Sequence, residues 1–244
     1  AVAERWRVAA AVTDRLVKQA LVGPYTLGSI GGPDDGVDRL AAGIDALVAA
    51  GCPLVEVEEP AATTIADDVE RRRFADLHRR LTNGRSGRVH LSLVFTGGSV
   101  EALGADTLFD LPYASYAFDL IAGPDNWRLI AKAPGDRGII CGALDPAASA
   151  DDGPEVLVWA ARYAASTSGR GLVRVGLANA SSLAGLSRER ANRKVRALAE
   201  AARLASAQSP DELAAGLDPR AVDIRSAATG RHEPPPKRRT RRGR

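Results

Sequence analysis

The fold is decided by residues 37–61, which read VDRLAAGIDALVAAGCPLVEVEEPA. The first half of this stretch carries apolar side chains at helical spacing, at Leu40, Ile44, Leu47 and Val48. Residues 37–50 are therefore predicted to form an amphipathic helix, and the short apolar run 53–57 predicts a buried strand. Two acids, Glu58 and Glu59, follow directly where that strand ends.

The same alternation continues in both directions along the chain. Apolar runs predict six strands, at residues 17–22, 53–57, 88–95, 113–121, 138–144 and 172–178. Helical stretches are predicted at residues 3–15, 37–50, 67–81, 100–103, 127–132, 154–166, 187–208 and 211–216, and a loop is predicted at residues 23–36. This alternation favours an α/β fold with parallel strands and right-handed crossovers. Two architectures fit it: a doubly wound open sheet, and a (β/α)8 TIM-type barrel without its first two units.

The composition changes after Ile224. From Arg225 onward the chain has eight basic residues and one acidic residue, a charge of +7. Because the whole chain has a net charge of +3, residues 1–224 carry −4. A proline- and arginine-rich segment of this kind buries too little apolar surface to fold. We therefore predict one body of six strand–helix units over residues 1–224 and a disordered basic tail over residues 225–244. The tail could contact polyanions weakly, but no specific nucleic acid is expected.

Length and composition narrow the class of protein. A chain of 244 residues with 45% hydrophobic residues can bury a large core. No apolar run reaches the roughly 18 residues of a membrane span, and no signal peptide is visible. Cys52 and Cys141 lie far apart within apolar runs, which predicts two buried reduced thiols and a cytoplasmic protein. The start at Ala1 and the lack of methionine suggest a fragment.

The carboxyl ends of the predicted strands carry polar side chains. In parallel β/α proteins this end of the sheet forms the functional mouth. The side chains placed there are Tyr25, Thr26, Glu58, Glu59, Asp119, Asp145 and Asn179. Acids gathered at strand ends favour an amine, a metal or a polyhydroxyl ligand. The alternative is that some of them cap the helices that follow.

Motif searches exclude several kinds of site. Residues 28–32, Gly-Ser-Ile-Gly-Gly, match neither a dinucleotide fingerprint nor a P-loop. The sequence has no His-Glu-x-x-His and no Cys-x-x-Cys. Of the three histidines, His78 falls within a charged helix and His232 within the tail. His90 alone lies on a predicted strand, so it is the histidine expected at a site.

Five motifs in order resemble one known family. In each case the chain's own residues are given first and the family's pattern second. The pairs are residues 21–27 (LVGPYTL) and Gly-Pro-x-Thr, 55–61 (VEVEEPA) and Gln-x-Asp-Glu-Pro-Ala, 90–92 (HLS) and His-x-Cys, 142–145 (GALD) and Gly-x-x-Asp, and 177–183 (LANASSL) and Asn-Pro-Asp-Cys-Gly-Leu. Over about residues 17–195 the chain thus resembles the cobalamin-independent methionine synthase family. The related uroporphyrinogen decarboxylases share a similar Gly-Pro segment but fit residues 55–61 less well.

The resemblance implies a (β/α)8 barrel, and the first strand of this chain corresponds to about the third strand of that barrel. It also implies methyl transfer from a folate-type donor to a homocysteine-like thiol, and so a role in methionine biosynthesis. The family binds zinc through His, two Cys and Glu. His90 and Asp119 stand at or near two of those positions here, while Ser92 and Ser181 stand where cysteines are expected. The resemblance assigns substrate binding to Glu58, Glu59, Asp145, Tyr25, Thr26 and Asn179, and no catalytic residue is assigned.

Three functions follow from these observations. The first is a methionine synthase-like S-methyltransferase with a degenerate zinc site. The second is a non-catalytic or repurposed homologue that binds a small amino-acid or folate-like ligand. The third is a uroporphyrinogen decarboxylase-like lyase, which would need basic residues at the mouth instead of acids. All three bind a small molecule and none requires a membrane. The oligomeric state is left open.

Overall fold

The computed structural model describes residues 1–32, 36–148, 153–207 and 217. Within them the strands are β1 (Gln19–Val22), β2 (Leu54–Glu58), β3 (His90–Phe95), β4 (Ser115–Asp119), β5 (Gly138–Leu144) and β6 (Val175–Asn179). The α-helices are α1 (Val2–Ala10), α2 (Pro24–Ser29), α3 (Gly36–Ala49), α4 (Asp68–Thr82), α5 (Ala105–Phe109), α6 (Asn126–Lys132), α7 (Pro154–Ser166) and α8 (Arg188–Ala205). Short 3-10 helices lie at Pro60–Thr64, Glu101–Leu103, Thr167–Gly169 and Leu172–Arg174.

The six strands form one parallel sheet in the order β1-β2-β3-β4-β5-β6. A doubly wound sheet would reverse its strand order at a switch point. The unbroken order is instead that of a sheet wound in one direction, as in a β/α barrel. The predicted α/β class with parallel strands is therefore confirmed, and the strand order excludes the doubly wound alternative.

Side chains alternate between the two faces of the sheet. We call one the helix-covered face; its central side chains are Val55, Val57, Leu91, Leu93, Tyr116, Phe118, Ile139 and Cys141. Each is at most 1% exposed, because the helices pack against this face. Burying a large apolar side chain contributes about 1.5–3 kcal/mol, so this layer holds the fold together.

We call the opposite side of the sheet the open face. Strand register sets its side chains in rows. The first row contains Ala20, Glu56, Ser92, Ser115 and Gly138. The second row lies one step nearer the carboxyl ends and contains Val22, Glu58, Val94, Ala117, Ile140 and Gly176. Barrel interiors are ordinarily filled by bulky branched side chains. The small and polar first row leaves a groove of about 410 Å³ along this face instead.

Some element boundaries differ from the predictions. The predicted loop at residues 23–36 contains helix α2, which begins at Pro24, where a missing N–H costs a helix nothing. The last strand begins at Val175 because Leu172–Arg174 forms a 3-10 turn before it. The first helix ends at Ala10. The predicted helix at 211–216 and the predicted tail at 225–244 lie outside the described residues.

A buried arginine ties together the elements at the amino end of β5. Arg170 is 1% exposed. Its guanidinium donates to the backbone carbonyls of Arg137, Ala164, Ala133 and Pro134 and to the hydroxyl of Thr167. The end of α6, the start of β5 and the end of α7 are thereby joined. Among the helices described here, none is long and apolar enough to cross a membrane.

Candidate functional site at the carboxyl end of the sheet

Glu59, directly after β2, is fully buried at the centre of a hydrogen-bond network. Its carboxylate accepts the backbone N–H groups of Tyr25 and Thr26 at 2.9 and 2.7 Å and the Thr26 hydroxyl at 2.5 Å. The same hydroxyl accepts the N–H of Ala61 at 3.2 Å. Two of these N–H groups lie in the first turn of α2, where a carboxylate is the natural acceptor. Glu59 thus fastens the segment after β1 to the segment after β2.

The network continues into the layer between sheet and helices through His78 of α4. His78 is fully buried, and its Nε2 lies 3.1 Å from Glu59 Oε1, although not in line for a good hydrogen bond. Its Nδ1 lies 2.7 Å from the hydroxyl of Tyr113. Burial, together with the negative charge of Glu59, raises the pKa of Tyr113 well above its ordinary value. The Tyr113 hydroxyl therefore stays protonated and can donate to the ring when the His78 proton is on Nε2.

The turn before α2 approaches Glu59 too closely for any side chain. A Cβ added at Gly23 would lie 2.2 Å from Glu59 Oε1. Tyr25 points away from the mouth and donates its hydroxyl to Glu70 of α4 at 2.8 Å. Burial raises the pKa of Tyr25 to about 12, and the Glu70 hydrogen bond adds to the shift. Tyr25, Thr26 and Glu59, predicted to bind substrate, are thus joined to each other and to α4.

Glu58 has the opposite environment. It lies in the second row of the open face, half-buried, at the last residue of β2. Its carboxylate makes no hydrogen bond or ion pair with the described residues. Burial raises the pKa of Glu58, the charge of Glu56 raises it further, and Lys18 partly offsets both. A half-buried carboxylate without a partner is costly, so this position suits a cationic group of a ligand. The predicted acid pair is therefore split, with Glu58 alone on the open face.

Asp119 organises the loops that leave β3 and β4. It is 2% exposed, and its carboxylate accepts the backbone N–H groups of Gly97, Ile121 and Ala122 at 2.8–2.9 Å. Asn126, fully buried, holds the same loops together. It donates to the carbonyls of Gly98 and Asp119 and accepts the N–H of Val100.

Asp145 and Asn179 lie at the carboxyl ends of β5 and β6. Asp145 accepts the N–H of Ala147 at 2.8 Å, and its carbonyl accepts the buried Lys194 ammonium at 2.9 Å. Asn179 donates its side-chain amide to the carbonyl of Ser181 at 2.6 Å. Both side chains are partly exposed, so they remain near the mouth while shaping their own loops.

The structure does not bring the predicted metal ligands together. His90 opens β3 at the amino end of the sheet, and Asp119 closes β4 at the carboxyl end. The register separates them by six residues along the strands, or about 20 Å. Ser92 lies in the first row, whereas Ser181 is exposed after β6. This corrects the expectation that these four residues share one site.

Two residues that matter here were missed by sequence reasoning. His78 falls within a charged helix and is not predicted to be a site residue. Its spacing from Phe74 and Leu81 places it on the buried stripe of α4, which was the available signal. Asn126 follows Gly-Pro-Asp in a loop, and nothing in the sequence reveals that its amide reaches back to the β3 loop.

Comparisons with known proteins agree with the sequence motifs. Over 103 residues the chain is 34% identical to 5-methyltetrahydropteroyltriglutamate–homocysteine methyltransferase from two strains of Rhodopseudomonas palustris, TIE-1 and ATCC BAA-98 / CGA009. The match covers 41% of this chain and spans only 12% of the length of each relative. No family model matches the chain.

The fold is shared with solved structures over most of the chain. A B12-independent methionine synthase from Shewanella sp. W3-18-1, in complex with selenomethionine, has a TM-score of 0.72 at 16% identity, covering 84% of this chain and 66% of that one. A putative vitamin-B12 independent methionine synthase from Listeria monocytogenes has a TM-score of 0.65 at 14% identity, covering 83% and 68%. A methyltransferase from Methanosarcina mazei has a TM-score of 0.59 at 14% identity, covering 83% and 63%.

These likenesses show the fold class and agree with the resemblance seen in the sequence motifs. The sheet is a six-stranded part of a β/α barrel like those of the methionine synthases. The predicted resemblance to the cobalamin-independent methionine synthase family is confirmed, in sequence over part of the chain and in fold over most of it.

Proposed function

We propose that this chain is a methyltransferase barrel of the methionine synthase type, in which Glu58 binds the ammonium group of an amino-acid substrate. The observation that carries the proposal is the half-buried Glu58 carboxylate, which faces the open side of the sheet without a described partner. The Shewanella structure contains selenomethionine, which supports an α-amino acid as the ligand. Asp145 and Asn179 lie at the same end of the sheet and would contact the rest of the substrate.

The proposed reaction transfers a methyl group from a folate-type donor to a homocysteine-like thiol. A sulfur–carbon bond forms, the bond between the donor nitrogen and the methyl carbon breaks, and the thiol proton passes to that nitrogen. In such a reaction the chain's own residues bind and orient the amino-acid substrate. Glu58 would fix the ammonium, and the Glu59 network would hold the Gly23–Thr26 turn beside it.

Zinc, which the resemblance implies, does not fit the described residues. No three His, Cys, Asp or Glu side chains come together there as metal ligands. Asp119 is engaged by three backbone N–H groups, and His90 contacts the hydroxyl of Ser115. Cys141 lies on the helix-covered face, where burial raises its pKa to about 12. We therefore derive no step through a metal.

This disagreement favours a second candidate, an amino-acid-binding homologue that carries out no methyl transfer. The two candidates share the Glu58 contact and differ in turnover. Methionine formation from homocysteine and 5-methyltetrahydropteroyltriglutamate, followed by mass spectrometry, separates them. Formation of methionine by the wild-type chain and its loss in Glu58→Gln would support the methyltransferase. Amino-acid binding that depends on Glu58, without methionine formation, would support the homologue. If no amino acid binds, both are overturned.

A further inference from the structure

Three aromatic rings lie together on the outer surface of the helix layer, where α6 and α7 meet. Trp127 of α6 packs edge-on against Trp159 and Tyr163 of α7, with ring centroids 4.9 and 5.3 Å apart. Trp159 and Tyr163 are one helical turn apart, and their rings stack at 5.4 Å. We call these three side chains the aromatic cluster.

The aromatic cluster offers both apolar surface and hydrogen-bond donors. Trp159 is 38% exposed, and Trp127 and Tyr163 are partly exposed. Rings of this size ordinarily contribute most of their surface to a core or an interface. The indole N–H of Trp159 and the hydroxyl of Tyr163 form no hydrogen bond with the residues that the structure describes. The cluster therefore suits a partner that presents apolar groups together with carbonyl oxygens.

The chain itself contains a segment with this chemistry, at residues 234–236, which are three consecutive prolines. Consecutive prolines favour the polyproline II conformation, in which no carbonyl oxygen has an internal hydrogen bond. Such segments bind aromatic-lined surfaces, because the helix is already formed and loses little entropy on binding. Polyproline II rises about 3.1 Å per residue, so the first and third prolines lie about 6 Å apart. That distance is close to the 4.9–5.4 Å between the ring centroids of the cluster.

The residues after α8 begin close to the aromatic cluster. Arg162 of α7 donates from its guanidinium to the backbone carbonyl of Ala207 at 2.7 Å. Arg162 lies three residues after Trp159, which makes the two side chains neighbours on the helix surface. Pro234 follows Ala207 by 27 residues. A random coil of that length spans about 30 Å on average, so the prolines can reach the cluster. Their attachment to the same chain gives them an effective concentration on the order of 1 mM at the cluster.

We propose that residues 234–236 of this chain dock on the aromatic cluster of the same chain. The proline rings pack on the exposed surface of the three aromatic rings. The indole N–H of Trp159 and the hydroxyl of Tyr163 donate to carbonyl oxygens of the docked segment. Docking also places the basic residues 237–242 at the surface of α6 and α7. The inference is independent of the proposed reaction, because the cluster lies on the outside of the helices and Glu58 lies on the open face of the sheet.

The test is NMR of the full chain, labelled with nitrogen-15 and carrying a nitroxide spin label at Gly230→Cys. This position lies four residues before Pro234, so docking brings the label near the cluster. The chain's own thiols, Cys52 and Cys141, are buried, and burial raises the pKa of both. The label therefore reacts at the new cysteine. Labelling of the wild-type chain is the control for this selectivity.

The indole N–H signals of the three tryptophans report where the label lies. We expect the oxidised label to remove about half or more of the signal intensity of Trp127 and Trp159, relative to the reduced label. This loss corresponds to a dissociation constant near the effective concentration, about 1 mM. Trp6 of α1, whose N–H is bound to the carbonyl of Val17, should keep its intensity. No loss at Trp127 and Trp159, or an equal loss at all three tryptophans, would overturn the proposal.

Two variants of the spin-labelled chain separate the prolines from the basic residues beside them. The combined change Pro234→Ser, Pro235→Ser and Pro236→Ser keeps every charge and should restore the signals of both cluster tryptophans. The matched variant with Arg238→Ser and Arg239→Ser keeps the prolines and should show the same loss as the parent chain. The opposite pair of results would overturn the proposal, because arginine stacking on the aromatic rings would then bring the segment to the cluster.

Two further measurements test the occupant and its geometry. In a mixture of nitrogen-15 chain without the label and spin-labelled chain without nitrogen-15, the indole signals should stay intact. Their loss in the mixture would show docking between two copies and overturn docking within one chain. Tyr163→Phe removes one donor and should weaken docking by about fivefold, seen as a smaller signal loss at Trp127. An undiminished loss in this variant would overturn the proposed hydrogen bond to the segment.

Discussion

Glu58 and Glu59 are neighbours in sequence and have opposite roles. Glu59 accepts three hydrogen bonds in the interior, beside His78, and is fully buried. Glu58 faces the open side of the sheet and has no partner among the described residues. The same contrast holds between the two sides of the whole sheet. The helix-covered face is closely packed, whereas the open face carries several polar side chains, of which Glu58 has no partner among the described residues. A buried polar group that makes all its hydrogen bonds stabilises the fold, whereas one without partners is a candidate ligand-binding site.

The largest expected effect is on the helix-covered side of the sheet. Glu59→Ala should lower the free energy of unfolding by about 3–5 kcal/mol, since it leaves the N–H groups of Tyr25 and Thr26 unpaired beside a buried His78. Denaturant unfolding measures the loss. Glu58→Ala is the matched control and should change stability by less than about 1 kcal/mol. Equal losses in the two variants would remove the distinction between them.

Gly23→Ala tests how tightly the turn packs on Glu59. The new Cβ would lie 2.2 Å from Glu59 Oε1, so the turn or the carboxylate must move. We expect a loss of about 1–3 kcal/mol in chemical unfolding. In the control Gly43→Ala, inside α3, the nearest atom is Val2 Cγ1 at 3.7 Å, which is ordinary contact. That change should raise stability by roughly 0.5–1 kcal/mol. Similar results for both glycines would show that the turn is not constrained.

Tyr113→Phe tests whether the network extends beyond His78. The variant removes the hydroxyl 2.7 Å from His78 Nδ1 and leaves that nitrogen buried and unpaired. We expect a loss of about 1–2 kcal/mol. The effect should be smaller in a Glu59→Ala background, because the two groups act through the same ring. Strict additivity in this double-mutant cycle would show that Tyr113 and Glu59 are not coupled.

The smallest effect is expected at Glu58 and depends on pH. Because the folded state raises the pKa of this acid, its ionisation opposes folding. The stability it contributes is complete below the ordinary glutamate range and is lost as pH rises through the raised pKa. Glu58→Gln should therefore gain stability over the wild type as pH rises from the ordinary glutamate range through the raised pKa of Glu58. Thermal unfolding across this range gives the difference, and a constant difference would contradict the shift.

The pKa shift also predicts how ligand binding depends on pH. An ammonium ligand needs Glu58 ionised, so its affinity should fall as pH falls through the raised pKa. Glu56 and Lys18 are the charged groups that set this value, and Lys18→Ala should move the fall to higher pH. An affinity for 2-aminobutyrate that does not change with pH would show that Glu58 is not the ammonium site.

Much of the fold could be predicted because each strand is a compact apolar run with a clear end. The pattern of residues 37–61 correctly predicts a helix, then a strand, then two acids at the strand's end. Sequence could not decide between the two architectures, since strand order is a property of long-range pairing. The run of parallel pairs from β1 to β6 decided it.

The site was harder to predict than the fold. A residue on a strand lies at the mouth only when it is near the strand's carboxyl end, so its position along the strand matters as much as the strand itself. His90 begins β3 and so lies at the far end from Asp119, which ends β4. Alternation along β2 was the available signal for the two acids, because it places Glu58 on the face of Glu56 and Glu59 on the face of Val55 and Val57. The hydrogen bonds and the His78 contact that enclose Glu59 come from long-range packing, which the sequence does not show.

Arg170 gives the amino end of the sheet a junction that does not depend on an acid group. Its guanidinium is held by carbonyl oxygens and a hydroxyl, and it stays charged at every pH a protein survives. A clamp of this kind contains no group that acid can neutralise. The junction of α6, β5 and α7 should therefore keep these hydrogen bonds as pH falls.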